Sequence, residues 1–511
     1  MFPSKITIMK KTTSIILVAS LLVMGTGCTK FSDKLNINPN LPDKATNSLL
    51  LTYSINQLPA VIEAPQGMLN VQQWSEKPYT DASRYTVVNF DFYWIYAGAL
   101  MNLQTILNTK EFNITEGSKE NQLAVARILR AWFFWHMTDR WGDIPYKDAL
   151  KGLDNFTPAY TSQKDIYYDL LKELKEAAAQ IDEDANAVTG DILFNGDMES
   201  WRKFANSIRM LMALRLSKID PGKGQAEFAD AAAGDFFKDN SESAVYVHLA
   251  NQANQNYWYY VFNVQGRQWY WASKTIVDYM KGLNDPRLPI FADPAPNGSG
   301  YNGVPYGLDG NAVGLIPSAT VSLTGVHVRT QNAPCYILTY AQLEFALAEA
   351  AKINWIAGGD AAAQSHYEAG IEASVRQWNR LSFKPYDNKR DKQIEKLPYN
   401  PDDQGDVTGL PAYMANPEVA YTPADALKKI GYQRWLHLYS NGYEAWAEWR
   451  RTGYPVLTPA PNNNNTPIPR RQAYPVKEQN INSTNYNNAV STQPGFGGKD
   501  DLNGRIWWDK P

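Results

Sequence analysis

Residues Leu123 to Trp141 (LAVARILRAWFFWHMTDRW) run without a glycine or proline and are closed by Gly142-Asp143 and Pro145. Such a run reads as one long helix with a sharp stop, because Gly leaves the helical region without strain and Pro cannot continue it. The same punctuation recurs. Ser162-x-x-Asp165 is a capping signal, after which Ile166, Leu170, Leu174, Ala177 and Ile181 share one face. Asp197 can cap a helix from Trp201 to Leu216, with Phe204, Ile208, Leu211 and Arg215 at helical spacing. Thr339-x-x-Gln342 opens another that runs to Trp355, and Gly358-Gly359-Asp360 turns it into a partner ending near Arg380. Thr422-Pro423-x-Asp425 combines a cap, a proline at N1 and an acid at N3. Asn441-Gly442 closes the helix that follows, and Tyr443 to Arg451 is expected as a short helix. A further helix is expected over Phe90–Leu107.

Helices joined by short turns, 123–141 with 163–182 and 339–357 with 360–380, predict an all-α fold of tetratricopeptide-like helix pairs. A strict repeat of about 34 residues does not survive, because insertions interrupt the array. Between about 220 and 335, and again over 384–420, Gly, Pro and Asn are frequent and helical periodicity fades. These stretches are expected as large, irregular, loop-rich insertions that form a ligand-binding face, the first with a few short elements. The tail from Thr452 to Pro511 is expected as ordered coil tied down by aromatic side chains. Residues 44–511 read as a single domain.

The amino terminus has the form of an export signal. Lys5, Lys10 and Lys11 precede an apolar run from Ile15 to Met24, then Gly25-Thr26-Gly27 and Cys28. The run is too short to span a bilayer and fits a signal-peptide core. Residues 1–27 are therefore expected to be removed, with Met9 an alternative start. Cys28 stands where a lipoprotein signal peptidase would leave it for acylation, although Gly25 occupies a position where Leu is usual. Residues 28–43 then read as a polar, lipidated tether.

Removing the leader leaves 46 basic against 52 acidic residues. A net charge near −6 argues against nucleic acid as a partner, since phosphate neutralisation needs a basic face. With Cys28 acylated, Cys335 is left without a disulfide partner and reads as a small buried residue. Packing alone must then hold the fold. His136, His248, His327, His366 and His437 are scattered without metal-ligand spacing, so no metal or cofactor is expected. No nucleophile elbow or phosphate-binding glycine loop is present. Glu344 with Glu349, and Glu444 with Glu448, are the carboxylate pairs a glycoside hydrolase would need, but their plainer reading is ion pairing inside a helical array.

Aromatic residues make up 13% of the chain, and two clusters of them fall outside the strong helices. One is Tyr257-Trp258-Tyr259-Tyr260-x-Phe262 with Trp269-Tyr270-Trp271. The other is Trp74, Tyr79, Arg84 and Tyr85. Rings on loops, interleaved with Asn, Gln and Arg, suit a sugar, whose C–H face stacks while its hydroxyls need polar partners. The expected ligand-binding residues are Trp74, Arg84, Tyr257, Trp258, Trp269 and Trp271; the competing reading is core packing under long loops.

Several motifs, in order along the chain, resemble the SusD/RagB family of outer-membrane nutrient-binding lipoproteins of Bacteroidetes. They include Asp33-x-Leu-Asn-Ile-Asn-Pro-Asn40, Ala126-Arg-x-Leu-Arg-Ala-Trp-Phe133 and Thr138-Asp-Arg-Trp-Gly-Asp-Ile-Pro-Tyr146. Later come Asp285-Pro-Arg-Leu288, Gln433-Arg-Trp435, Arg450-Arg-Thr-Gly453, and Gly498-Lys-Asp500 with Arg505-x-Trp-Trp-Asp509. The resemblance implies a binding protein without catalysis, anchored by lipid at the cell outer membrane and facing the exterior. It implies delivery of oligosaccharides to a SusC-like TonB-dependent β-barrel transporter, with peptides as the alternative cargo and a secreted glycoside hydrolase as the competing class. Arg127, Arg130, Asp139 and Arg140 are expected to tie helix ends and turns together. The segment after Cys28 lacks the dense acidic run often associated with surface export. Cys28→Ser is expected to abolish membrane fractionation in cells without the barrel partner; an undiminished membrane fraction would refute the anchor.

Overall fold

The helix signals end where they should because backbone caps enforce them. In a computed structural model that describes residues 45–380, 399–463 and 465–511, helix α1 spans Lys119–Trp141, capped by the Ser118 hydroxyl and stopped by Gly142 at φ 82°. Helix α2 (Gln163–Gln180) starts at the Ser162 side chain, and α3 (Met198–Arg215) at Asp197. Helix α4 covers Pro221–Ala232 and α5 Lys274–Leu283. Helix α6 (Tyr340–Lys352) carries the complete capping box between Thr339 and Gln342, and α7 spans Gly359–Trp378. Helices α8 (Ala426–His437) and α9 (Gly442–Thr452) complete the scaffold. Successive helices α1 to α4 pack on one another, as do α6 with α7 and α8 with α9. The fold is all-α, built of helix pairs, and Asn47–Pro511 forms one compact unit.

Some expectations need correction. The stretch 220–335 is not uniformly irregular: Asp220 and Pro221 start α4, and Ser273 caps α5. The tail contains a helix over Ser483–Thr492. The Phe90–Leu107 segment is broken by a π-helical turn at Tyr96–Leu100. Thr422 makes no side-chain cap; Pro423–Asp425 forms a 3-10 turn and the α-helix begins only at Ala426. The leader, Cys28 and the 28–43 tether lie outside the described residues, as does 381–398 within the second insertion.

Among the described residues, strand is confined to three two-stranded antiparallel ladders and a few isolated bridges. The ladders pair β1 (Trp74–Glu76) with β5 (Tyr270–Ala272), β2 (Ile144–Pro145) with β3 (Tyr160–Thr161), and β4 (Ala244–Val247) with β6 (Pro334–Leu338). The β4–β6 pair brings together the two ends of the 248–333 insertion.

At the meeting of α1, α3, α6, α8 and α9 lies a buried charge network. Arg215 reaches Asp139 at 3.3 Å and Glu444 at 2.6 Å, and also pairs with Glu448. Glu448 in turn accepts from Arg434 and Arg451, both at 2.6 Å. Glu349 closes the circuit with 2.7 Å contacts to Arg434 and Arg451. Of the glutamates that raised the question of hydrolysis, Glu349, Glu444 and Glu448 are thus ion-paired, and Glu344 is hydrogen-bonded to His366 at 2.8 Å. Burial opposes ionisation of Glu349, but Arg451 and Arg434 outweigh it and hold its carboxyl well below the usual range. Arg127 bridges α1 to Glu173 and Glu176 of α2, and Arg140 donates to the Val61 carbonyl. Cys335 is buried, and burial pushes its thiol up.

The close approach of Gly67 and Gly442 explains the glycine at the start of α9. A Cβ on Gly442 would lie 2.1 Å from the Met68 nitrogen, so no side chain fits there. Removing one carboxylate from the network should be costly, because three guanidiniums share Glu448. Glu448→Ala is expected to lower stability by about 3–5 kcal/mol in chemical denaturation. A loss under about 1 kcal/mol would show that the network is not structural.

Candidate functional site

The two aromatic clusters of the sequence are brought together by the β1–β5 ladder. Trp74 pairs with Ala272, Ser75 with Trp271 and Glu76 with Tyr270, and the Lys77 N–H continues the ladder to the Trp269 carbonyl at 2.8 Å. Side chains alternate along a strand, so Trp74, Glu76, Tyr270 and Ala272 share one face and Ser75 and Trp271 the other.

That alternation corrects part of the expected site. Trp74 is fully buried, with its indole N–H donating to the Tyr439 hydroxyl at 2.9 Å. Trp258 is buried too, with its ring 4.6 Å from Trp74 and 5.3 Å from Tyr270. Residues 257–264 are helical rather than irregular, started by the Asn256 side chain. Trp258, Val261 and Phe262 therefore point inward at helical spacing, and Tyr257 and Tyr260 outward. Arg84 is tied down, donating to the Asn462 carbonyl at 2.7 Å. Tyr85 is likewise buried, against Tyr306 and Ala460.

What remains open to solvent is a ledge. Tyr79 is 66% exposed and Tyr257 53%, and Trp269 is partly exposed beside Tyr79 at 5.6 Å in an edge-to-face arrangement. The guanidinium of Arg267 lies over the Trp269 ring, 4.6 Å from its centroid. Sequence reasoning placed Tyr79 in its cluster without choosing it, and gave no signal for Arg267. Beneath Tyr257, whose ring lies 4.9 Å from that of Trp258, Trp258 packs with Trp74 and Tyr270.

On the other face of the ladder, Trp271 is nearly buried but forms a wall of a solvent-open cleft of about 420 Å³. Asn263, Gln268, Asp293 and Arg329 supply polar groups to that cleft. Arg329 pairs with Asp293 and donates to the Thr324 carbonyl. Lys77 lies over the Trp271 ring at 5.5 Å and donates to Ser318 and to the Ile316 carbonyl. An aromatic ledge beside a polar cleft can hold a ligand with flat apolar faces and many hydrogen-bonding edges. Among the described residues no group of three or more His, Cys, Asp or Glu could hold a metal ion.

A SusD-like family model, described as starch-binding and associating with the outer membrane, matches residues 39–475. The chain belongs to that family of outer-membrane nutrient-binding proteins. Among solved structures, a chitin-binding protein is 26% identical, with a TM-score of 0.74 over 91% of this chain and 100% of that one. A SusD homologue from Bacteroides fragilis is 27% identical, with a TM-score of 0.72 over 91% and 100%. A chitin-binding SusD homologue from Flavobacterium johnsoniae shares the fold at 24% identity, with a TM-score of 0.69 over 91% and 96%. Nothing among the curated proteins matches. No helix among the described residues is long and apolar enough to cross a membrane.

Glu76 gives the ladder a pH signature. Burial raises its carboxyl from 4.5 to about 7, against the opposing hydrogen bonds from the Ser83 N–H and hydroxyl. Below pH 4.5 both folded and unfolded chains hold this proton and no stability is lost. Between 4.5 and about 7 the unfolded chain ionises first, so stability falls as pH rises, by roughly 3 kcal/mol in all, and then levels. Glu76→Gln is expected to remove this component from a series of urea unfolding curves. An unchanged pH profile in the variant would refute the assignment.

Proposed function

We propose that this protein captures oligosaccharides on the exposed aromatic ledge and passes them to a SusC-like TonB-dependent β-barrel in the outer membrane. The observation that carries the reading is a set of solvent-exposed rings held by other rings, Tyr257 edge-on against the buried Trp258 and Trp269 edge-to-face with Tyr79. Rings held by such contacts are preorganised, so a sugar docks without first ordering them. The Trp271 cleft beside the ledge offers amide and carboxylate partners for hydroxyl groups. The chitin-binding protein of similar fold supports a glycan as cargo. The protein acts as a binding module without catalysis, in keeping with the ion-paired state of its buried glutamates. Cys28 is the lipid attachment point, the 28–43 segment is the tether, and the ligand face looks outward from the cell.

The test separates the exposed rings from the buried ones. Trp269→Ala and Tyr257→Ala are each expected to weaken binding of a hexasaccharide by about five- to thirty-fold, with little change in Tm. Trp74→Ala should instead cost about 3–5 kcal/mol of stability. Calorimetry with neutral and acidic hexasaccharides, run beside thermal melts, gives both readouts. Failure of every hexasaccharide to bind the parent protein would overturn the glycan reading, as would ledge variants that bind unchanged.

A further inference from the structure

Arg267 stands apart from the other arginines. Each of the others among the described residues donates to a carboxylate, a carbonyl or another polar side chain. Even those beside the ladder are spent: Arg84 on the Asn462 carbonyl and Arg329 on Asp293. The Arg267 guanidinium has no hydrogen-bond or ion-pair partner among the described residues, only the face of Trp269. The backbone puts it there. Gly266 adopts φ +64°, and the Arg267 N–H is fixed to the Val261 carbonyl at 2.9 Å. Burial pushes the nearby Tyr257 phenol up, and the positive charge of Arg267 opposes that shift.

A guanidinium laid flat on an indole keeps its N–H donors around its rim, in the plane that a carboxylate meets with two parallel bonds. The carboxylate nearest along the strand does not neutralise it: Glu76 turns its oxygen to the Ser83 N–H and hydroxyl. Asp81 lies exposed on the loop beyond, without a contact to Arg267. Lys77 adds no charge to the ledge: it lies over Trp271 on the other face of the ladder and donates to Ser318 and the Ile316 carbonyl. The ledge thus presents ring faces together with an unneutralised fork of donors.

We infer that the ledge recognises an acidic oligosaccharide, with a sugar ring stacked on Trp269 or Tyr257 and its carboxylate held by Arg267. A uronic acid supplies both parts in one residue, a flat C–H face and a carboxylate at the ring's edge. The inference rests on the glycan reading of the same ledge and adds the charge of the ligand to it.

The experiment compares a galacturonic acid hexamer with a chitin hexamer of matched length, by calorimetry on the parent protein and on Arg267→Gln, Arg267→Lys and Trp269→Ala. The acidic hexamer should bind the parent protein at least ten-fold more tightly than the neutral one at low salt. Arg267→Gln should weaken the acidic hexamer about ten-fold more than it changes binding of the neutral one, with an unchanged melting temperature. Arg267→Lys should fall between, because it keeps the charge and loses the planar fork. Added salt should weaken binding of the acidic hexamer to the parent protein more than to Arg267→Gln. Neutral binding equal to or tighter than acidic binding, or an equal effect of Arg267→Gln on both, would overturn the inference while Trp269→Ala still upheld the glycan reading. Absence of binding by both hexamers would overturn the two together, and an acidic peptide that bound more tightly than either hexamer would reassign the ledge to peptides.

Discussion

The buried network joining Asp139, Arg215, Glu444, Glu448, Arg434, Glu349 and Arg451 is the interaction on which the rest of the molecule hangs. Its members come from five helices far apart in sequence. A buried charge without its partner costs several kcal/mol, so each helix has only one tolerable register against the others. The C-terminal tail joins the same system, with the Trp508 indole donating to Asp139 at 2.8 Å. Nearby, Arg450 lies over the Trp446 and Trp508 rings and donates to the Asp139 carbonyl. Net stabilisation by such a network is modest compared with apolar packing; what it supplies is positional definition.

That definition is transmitted to the ligand face through α8. Arg434 fixes the helix to the network, and Trp435, one residue on, donates to the Val71 carbonyl at 3.0 Å. Gln73 returns a bond to the Trp435 carbonyl at 2.8 Å, and Trp74 bonds Tyr439 just beyond the helix. Strand β1 is thereby suspended from α8, β5 pairs with β1, and Trp269 and Arg267 follow from β5. The ledge lies on loops, yet few links separate it from the most constrained part of the core. This is how a surface built from insertions can be rigid enough to bind by stacking.

The scaffold was legible because its signals are local. Ser118, Ser162, Asp197 and Thr339 cap helices through residues two or three positions on, and Gly142 and Gly358 end or join them through their own φ angles. Helices α4 and α5 carry local signals too, Asp220-Pro221 and the Ser273 cap with Ile276, Val277, Met280 and Leu283 on one face, but both are short and were obscured by the Gly- and Asn-rich stretches around them. The site was legible only as a composition. Its rings could be located in two segments, but not divided into those that bind and those that pack.

By itself, the sequence determined the helix pairs, their caps and the presence of two aromatic segments, because each depends on residues within a turn or two. Only the tertiary structure decided that Trp74 and Trp258 lie beneath the surface and Tyr79, Trp269 and Arg267 upon it. The reason is the register between β1 and β5, formed across nearly two hundred residues. A shift of one position would take Trp74 off the Trp258 and Tyr439 rings and Trp271 out of the cleft wall. That register is set by contacts to α8 which no local pattern encodes.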